Sequence, residues 1–191
     1  MIAAFLLVLP VAVYFRLRSE RTRERLDRRQ EGTFILATLR PLGLVCWIAV
    51  FAWMIEPAWM AWSSIPLPQW VNRLGAVLFV AGCALMAWTF RSLGPNLTDT
   101  VVTRQVHTLV LHGPYRWIRH PLYDAVVLLI GGLSLAAGNW FIAGTGLLVF
   151  AVLVLRTRIE ERNLLARFGA DYRSYMEHTG RFIPRIVARP H

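Results

Sequence analysis

Long apolar runs separated by arginine-rich segments are the feature that most constrains how this 191-residue chain can fold. Apolar residues make up 56% of the chain and charged residues only 17%, so it is more apolar and less charged than a typical soluble domain. All 21 basic residues are arginine, and the formal net charge is +10. This composition excludes a disordered chain and argues against an ordinary cytosolic domain. Because the arginines lie between apolar runs, the pattern favours a membrane protein over a nucleic-acid-binding protein.

The apolar runs predict an all-α integral membrane protein with five transmembrane helices. The first run is short for a membrane span, but it lacks the basic start and the cleavage site of a signal peptide, so we predict a membrane helix. Arg40-Pro41 is predicted to interrupt the second span, and Glu56-Pro57 to end it. The five predicted spans are residues 1–15, a stretch within 34–55, and residues 74–90, 122–137 and 140–155.

The segments between the spans have distinct compositions. Residues 58–73 contain three tryptophans and two prolines, which indicates an interfacial loop with an aromatic belt. Gly138-Asn139 predicts a tight turn. Residues 156–178 have the pattern of an amphipathic helix that Gly169 interrupts.

The arginines alternate between the predicted loops in a way that fixes an orientation. The loop 16–31 has seven arginines, the next loop has one, the segment 91–120 has four, the following turn has none, and the chain from Arg156 onward has eight. The positive-inside rule then places the N-terminus outside and the C-terminus in the cytoplasm. The polar segments 91–120 and 156–191 are therefore expected on the cytoplasmic side.

The densest polar cluster is the segment 107–123, HTLVLHGPYRWIRHPLY, with three histidines, two arginines and two tyrosines. Its prolines prevent a regular helix, so its backbone polar groups need other partners, which are either a bound polar ligand or side chains and water. Arg116 and Arg119 are equally compatible with anchoring to lipid headgroups. His107 and His112 lack the spacing of a zinc site, so no metal is predicted.

A second cluster follows the fifth span. Arg156 and Glu160 are four residues apart and share a helical face, whereas Glu161 points about 100° away. The cluster is either a surface ion pair or the lip of a cytoplasmic cavity, where a glutamate can hold an ammonium and an arginine a carboxylate. Asp124, one turn into the fourth span, needs water or a partner such as Arg116, Arg119 or a tyrosine hydroxyl.

These motifs, in this order, resemble the isoprenylcysteine carboxyl methyltransferase group of membrane methyltransferases, a wider set that includes phospholipid N-methyltransferases. The resemblance covers roughly residues 91–185 and includes the C-terminal pattern FGADYRSYMEHTGRFIP. The sequence departs from the family pattern at Asp124-Ala125 and at Gly94-Pro95-Asn96. The departures put the substrate class in doubt rather than the cofactor.

The resemblance implies S-adenosylmethionine (SAM) as cofactor, bound at the cytoplasmic side. It implies that Arg156 faces the substrate and that Arg119 supports the polar pocket, with Glu161 as a third candidate catalytic residue. It divides the chain into three N-terminal transmembrane helices with a basic loop (1–90) and a cofactor-binding and catalytic region (91–191). The residues implied to bind the cofactor are His107, Thr108, Leu109, Val110, Tyr115, His120, Pro121, Leu122, Tyr123 and Glu160.

The expected activity is methyl transfer to a lipophilic acceptor at the cytoplasmic face, with a carboxylate of a prenyl-type or other lipidic molecule preferred. The alternatives are a phospholipid or small-amine N-methyltransferase, a sterol-type reductase with a nicotinamide cofactor, and a non-catalytic lipid-binding protein. Pro121 and the Glu160-Glu161 pair favour the methyltransferase over the reductase. The expected partners are the bilayer and a lipophilic substrate, without nucleic acid, and the expected location is the inner membrane of a prokaryote.

Overall fold

The computed structural model describes residues 33–94 and 108–185, and its regular elements are helical, as predicted. Two short 3-10 helices, Pro57–Ser63 and Gly113–Arg116, lie between the longer elements. The predicted first span (1–15) and the basic loop (16–31) lie outside the described residues. The four α-helices are α1 (Thr33–Ile55), α2 (Gln69–Leu93), α3 (Pro121–Ala137) and α4 (Trp140–His178).

Three of these helices contain segments long and apolar enough to cross a membrane: Ala37–Ile55 in α1, all of α2, and α4. Helix α3 is apolar but has 17 residues, fewer than the roughly 20 that a span usually needs. The described part of the chain therefore supports a helical membrane protein, and the count of five spans stays a prediction.

Two helix boundaries differ from the sequence-based predictions. Helix α1 continues through Pro41, so the predicted interruption is wrong. A proline removes one backbone hydrogen-bond donor and bends a helix. A membrane helix can still continue through it, because neighbouring helices and side chains satisfy the backbone carbonyl that loses its partner. Helix α2 begins at Gln69, directly after Pro68, rather than at the predicted residue 74.

Helix α4 contains both the predicted fifth span and the predicted amphipathic helix, and a kink at Gly169 divides its 39 residues into two helical segments. Its apolar part ends at Leu155, so its C-terminal half extends beyond a bilayer core of about 30 Å. Gly169 has non-helical angles (φ 54°, ψ −119°), which confirms the predicted interruption there. The extension carries Glu160 and Glu161 to the end of the membrane-spanning part.

The Gly138-Asn139 turn joins α3 to α4, as predicted. Gly138 adopts the left-handed conformation (φ 56°), and the Asn139 side chain accepts a hydrogen bond from the backbone N–H of Ile142 at 3.0 Å. The Asn139 amide also donates to Ser63 Oγ at 2.7 Å, which ties the turn to the first 3-10 helix. Trp59 and Trp62 on that helix are exposed, in keeping with the predicted aromatic belt.

Helices α2 and α3 form the closest helix pair because glycines line their contact. A Cβ atom at Gly132 of α3 would collide with the backbone of α2 at Phe79 and Gly75. Helix α3 is thereby fixed against α2, and its N-terminus is held beside α4.

Gly132→Ala should therefore lower the melting temperature of the purified protein, since the two backbones would have to separate, at a cost of about 1–3 kcal/mol. Gly131→Ala is the matched control, because a Cβ atom at Gly131 meets nothing within 4 Å. Thermal unfolding in detergent, followed by tryptophan fluorescence, measures both variants. Equal melting temperatures for the two variants would contradict this account of the packing.

Candidate functional site

The N-terminus of α3 meets the part of α4 that leaves the membrane-spanning region, and the two bring distant polar residues together. The Tyr123 hydroxyl donates to Glu160 Oε2 at 2.8 Å, across 37 residues of sequence. His120, which precedes α3, places its Nδ1 atom 3.6 Å from the same oxygen and stacks on the Tyr123 ring at 5.4 Å. Glu160 is therefore held in a defined position while its side chain remains 23% exposed.

Glu161 forms the centre of a charge network that His120 joins to Glu160. Arg119 Nε donates to Glu161 Oε1 at 2.9 Å, and Arg181 donates to both carboxylate oxygens. His120 Nε2 lies 3.3 Å from Oε1. Burial acts to raise the pKa of Glu161, but the hydrogen bonds from His120, Arg181 and Arg119 outweigh it and lower the pKa to about 2. Glu161 is therefore an ionised node that joins three segments of the chain.

A short C-terminal strap, residues 179–184, closes one side of the site. Backbone N–H groups of Arg119 and His120 donate to the carbonyls of Gly180 and Arg181 at 2.9 and 3.1 Å. The Phe182 ring lies 5.8 Å from the His120 ring, so it covers this part of the site. The strap is thus held by backbone hydrogen bonds, by ring contacts and by the Arg181–Glu161 ion pair.

Arg119 connects the charge network to the strap and to the end of α4. Besides Glu161, its guanidinium donates to the carbonyls of Met176 (3.2 Å) and Thr179. Its side chain is 10% exposed. All of these acceptors belong to the protein itself, which is the arrangement expected of a residue that supports a pocket.

A cavity of about 110 Å³ lies beside this network. Tyr115 forms part of its wall and is fixed by a hydrogen bond from the Tyr175 hydroxyl to the Tyr115 carbonyl at 2.7 Å. Burial, together with the nearby Glu160 and Tyr175, raises the pKa of Tyr115, so its phenol stays protonated. The residues that line the cavity are Leu93, Thr108, Leu109, Val110, Tyr115, Arg119, Leu164, Phe168, Tyr172 and Tyr175.

Most of the residues predicted for the site lie in this region. Thr108, Leu109, Val110 and Tyr115 line the cavity, while His120 and Tyr123 contact Glu160. Pro121 is buried at the start of α3, and Leu122 packs in the cluster around Tyr123.

Arg156 lies one turn before Glu160 on α4 and within electrostatic reach of Tyr123. His107 lies outside the described residues.

Asp124 differs from what the sequence suggested. Its Oδ2 atom is buried, and within residues 33–94 and 108–185 it has no hydrogen-bond partner. Arg119 is directed to Glu161, and the Arg116 guanidinium lies over the Trp117 ring at 3.9 Å. The partners suggested for this oxygen therefore do not reach it.

Several residues that border the site were not predicted as site residues from the sequence, among them Tyr172, Arg181 and Phe182. Tyr172 and Tyr175 belong to a pattern of tyrosines three residues apart, and Arg181 and Phe182 belong to the TGRFIP segment. Both patterns are visible in the sequence, but only the fold shows which segments they contact.

This arrangement has a clear chemical capacity. A glutamate fixed at the edge of a pocket can hold an ammonium group through charge-assisted hydrogen bonds. An arginine one helical turn away can hold a carboxylate through two parallel hydrogen bonds. An apolar cavity with few polar groups lies alongside and can take an uncharged part of a ligand.

Comparison with protein families places this site in a known context. Residues 75–166 match the model described as the isoprenylcysteine carboxyl methyltransferase (ICMT) family. This range includes α3, most of the cavity wall, and Arg156, Glu160 and Glu161.

Two curated relatives extend the comparison. The chain is 29% identical over 127 residues to a protein-S-isoprenylcysteine O-methyltransferase of Tribolium castaneum, a match over 62% of this chain and 43% of the relative. It is 24% identical over 177 residues to methanethiol S-methyltransferase 2 of Bradyrhizobium diazoefficiens, a match over 84% of this chain and 61% of the relative. The chain spans about half the length of the curated relatives it matches.

One solved structure has a similar fold. The structure of the eukaryotic intramembrane Ras methyltransferase ICMT, solved without a monobody, has 28% sequence identity and a TM-score of 0.57. The likeness covers 76% of this chain and 51% of that chain. Together with the three helices able to cross a bilayer, it supports an integral membrane protein.

Proposed function

We propose that the chain is a member of the isoprenylcysteine carboxyl methyltransferase family, whose model matches residues 75–166, and that it transfers a methyl group from SAM to a lipophilic acceptor at the cytoplasmic face of a membrane. The observation that carries the proposal is the meeting of Glu160 with Tyr123 and His120. This contact unites the start of α3 with the membrane-proximal part of α4, the two regions that hold most of the family's characteristic residues.

The proposed SAM site runs from Glu160 to the cavity of about 110 Å³. Glu160 accepts hydrogen bonds from the ammonium of the methionine part of SAM. Tyr123 and His120 hold the Glu160 carboxylate in place. Tyr115 lies between the two ends, because it lines the cavity and is within electrostatic reach of Glu160. Thr108, Leu109 and Val110 also line the cavity, and His107, Pro121 and Leu122 are assigned to the same site from the sequence.

The bound cofactor supplies a methyl group on a positively charged sulfur, so the protein mainly has to position the reactants and exclude water. Arg156 holds the acceptor through charge-assisted hydrogen bonds. A carboxylate acceptor is already a nucleophile and needs no general base. The partly buried surroundings strengthen the contacts of Arg156 and Glu160, because charges interact more strongly away from bulk water.

We assign Arg119 and Glu161 a positioning role within this site. Both are occupied by contacts inside the protein, since Arg119 binds Glu161 and two backbone carbonyls, and Glu161 binds two arginines. Their network fixes the loop before α3 against α4 and the strap. A substrate contact would require breaking several of these hydrogen bonds.

The proposed setting follows the distribution of arginine. Five spans with the N-terminus outside place both halves of the site in the cytoplasm, where SAM is available. Residues 1–90 then serve chiefly as a membrane anchor, and residues 91–191 carry cofactor binding and catalysis. The inner membrane of a prokaryote remains the proposed location.

The preferred acceptor is the carboxylate of a prenyl-type or other lipidic molecule, because an arginine faces the proposed reaction centre. Methylation of a phospholipid or small amine at nitrogen remains the alternative. Such an acceptor, unlike a carboxylate, has to lose a proton. A small thiol is a further candidate, since the match to the Bradyrhizobium methanethiol S-methyltransferase covers more of the chain than the match to the Tribolium relative.

A labelled-methyl transfer assay tests the proposed function. The full chain, purified in detergent, is incubated with methyl-labelled SAM and with separate pools of prenylcysteine acids, fatty acids, phospholipids, amines and thiols. We expect a labelled, base-labile methyl ester from an acidic pool. Label in the amine or thiol pool would contradict the carboxylate acceptor and identify an amine or a thiol as the acceptor instead. No label in any pool would contradict methyl transfer.

Arg156→Ala should lower kcat/KM for the acceptor by at least about tenfold, since loss of a charge-assisted hydrogen bond costs about 1.5–3 kcal/mol. The dissociation constant for SAM should change less than twofold. Arg158→Ala is the matched control, because Arg158 is exposed on the same helix. Initial rates over a range of acceptor concentrations, with calorimetry for SAM, measure the two effects. A loss of SAM binding in Arg156→Ala with unchanged acceptor kinetics would overturn this division of roles.

A further inference from the structure

Tyr172 is a buried residue with an unpaired polar group at the cavity. Its side chain is only 1% exposed, and it forms part of the cavity wall. Its hydroxyl oxygen has no hydrogen-bond partner in the part of the chain that the structure describes. It lies in the segment after Gly169, where the change in backbone direction ends the regular part of α4.

A buried hydroxyl without a partner is unfavourable, since water is removed from it and nothing replaces the lost hydrogen bonds. Such groups are rare in folded proteins and call for an explanation. Burial raises the pKa of Tyr172, so the phenol keeps its proton and can both donate and accept. A ligand group with a complementary hydrogen-bonding atom would remove the unfavourable burial.

The rest of the cavity wall indicates which chemical group fits. Phe168 and Tyr115 supply aromatic rings, and Leu93 and Leu164 supply aliphatic surface. The one cationic side chain among the described wall residues, Arg119, is engaged by Glu161 and backbone carbonyls. The wall therefore suits a flat, uncharged heteroaromatic ring with its own hydrogen-bonding atoms.

The position of the cavity relative to Glu160 fits the two ends of one ligand. Glu160 offers a carboxylate to a cationic end, and Tyr115, which is within electrostatic reach of that carboxylate, lines the cavity. The apolar tail of an acceptor would fill the cavity but leave the Tyr172 hydroxyl unpaired. A purine base would present a flat ring to the apolar wall and a ring nitrogen to the hydroxyl.

We propose that the cavity beside Phe168 and Tyr115 holds the adenine base of the methyl donor and that the Tyr172 hydroxyl hydrogen-bonds a nitrogen of that base. This inference rests on the proposed function, because it takes SAM as the ligand. In this proposal Tyr172 is a cofactor-binding residue that recognises the adenine base of SAM and does not contact its amino acid part.

The test compares two ligands that differ at one end. S-adenosylhomocysteine has both the base and the amino acid part, whereas methylthioadenosine has the base without the amino acid. Tyr172→Phe in the full chain should weaken both ligands about three- to tenfold, the size expected for one neutral hydrogen bond. Glu160→Gln should weaken S-adenosylhomocysteine and leave methylthioadenosine within twofold. Calorimetry in detergent measures the affinity of the parent and of both variants for each of the two ligands.

Thermal unfolding supplies a second readout that a purely structural tyrosine would not move. Without ligand, Tyr172→Phe should be as stable as the parent or more stable, since it removes an unpaired buried hydroxyl. With saturating S-adenosylhomocysteine, the parent should gain more stability than the variant. An unfolded variant, or an equal gain in both proteins, would overturn the proposal.

The outcomes separate this inference from the proposed function. If the parent binds S-adenosylhomocysteine and Tyr172→Phe binds both ligands equally well, the assignment of Tyr172 fails and the proposed function stands. Unchanged ligand affinities with a raised KM for the acceptor would assign the cavity to the acceptor and contradict the inference. If the parent binds neither ligand, both the inference and the SAM-dependent function fail.

Discussion

Replacing Glu161 by glutamine should lower the free energy of unfolding by about 3 kcal/mol, because it leaves the nearly buried charge of Arg119 without its anion, with only a small further contribution from the more exposed Arg181. The glutamine keeps the shape of the side chain, so the change isolates the charge. The loop before α3 and the C-terminal strap both depend on this carboxylate. We expect a clear fall in melting temperature, measured by tryptophan fluorescence in detergent.

Glu177→Gln is the control for that variant, since Glu177 is exposed on the same helix. Its melting temperature should match that of the parent. A Glu161→Gln protein as stable as the parent would show that the network contributes little, and Glu161 would then return to the candidates for a direct catalytic role.

The same carboxylate gives stability a predictable dependence on pH. Its pKa is about 2 in the folded protein and about 4.3 in an unfolded chain. A lowered folded-state pKa stabilises the protein above the unfolded value, and this stabilisation is lost as the pH falls from about 4.5 towards 2. The difference in stability between the parent and Glu161→Gln should therefore be constant between about pH 5 and 8 and shrink in acid.

Replacing Glu160 by glutamine should weaken binding of S-adenosylhomocysteine more than tenfold. The expected loss of about 1.5–3 kcal/mol is that of one charge-assisted hydrogen bond. The protein should remain folded, because Glu160 is partly exposed and its contacts with Tyr123 and His120 can be kept by an amide oxygen.

Calorimetry of Glu160→Gln beside Glu177→Gln measures this effect against a variant with the same change in charge. Glu177 is exposed and is assigned no part in the site, so its variant should bind like the parent. Equal binding by the two variants would remove Glu160 from the cofactor site. Weak binding by both would instead indicate a general effect of charge on the cytoplasmic face.

The helical elements of this fold could largely be predicted from the sequence. Apolar length located α3 and the start of α4 within a residue, and the Gly138-Asn139 turn and the Gly169 interruption are local signals. The error at Pro41 has a physical origin, since sequence reasoning treats proline as a helix breaker, whereas a packed membrane helix can continue through it.

The site could be predicted only in part, because its charge network joins segments distant in sequence. The spacing of Arg156 and Glu160 showed that they share a helical face, and motif resemblance selected the start of α3. Nothing local indicates that Arg181 reaches back 20 residues to Glu161, or that Arg119 reaches 42 residues forward to it. These contacts depend on how α4 and the strap fold around the start of α3.

The burial of a polar group is likewise a property of the assembled fold. Tyr172 and Tyr175 look alike in sequence, yet the Tyr175 hydroxyl donates to the Tyr115 carbonyl while that of Tyr172 has no partner in the described ranges. Positions three residues apart on a helix are rotated by about 60° around its axis, so the two rings meet different neighbours. Only the geometry separates a structural tyrosine from a candidate for ligand binding.

Equilibrium binding of S-adenosylhomocysteine to the purified full chain, followed by calorimetry, tests the central claim most directly. The account predicts one saturable site, whose affinity falls more than tenfold in Glu160→Gln and changes less than twofold in Glu177→Gln. A chain that binds no S-adenosylhomocysteine, or binds it equally in all three proteins, would contradict a donor site between α3 and α4.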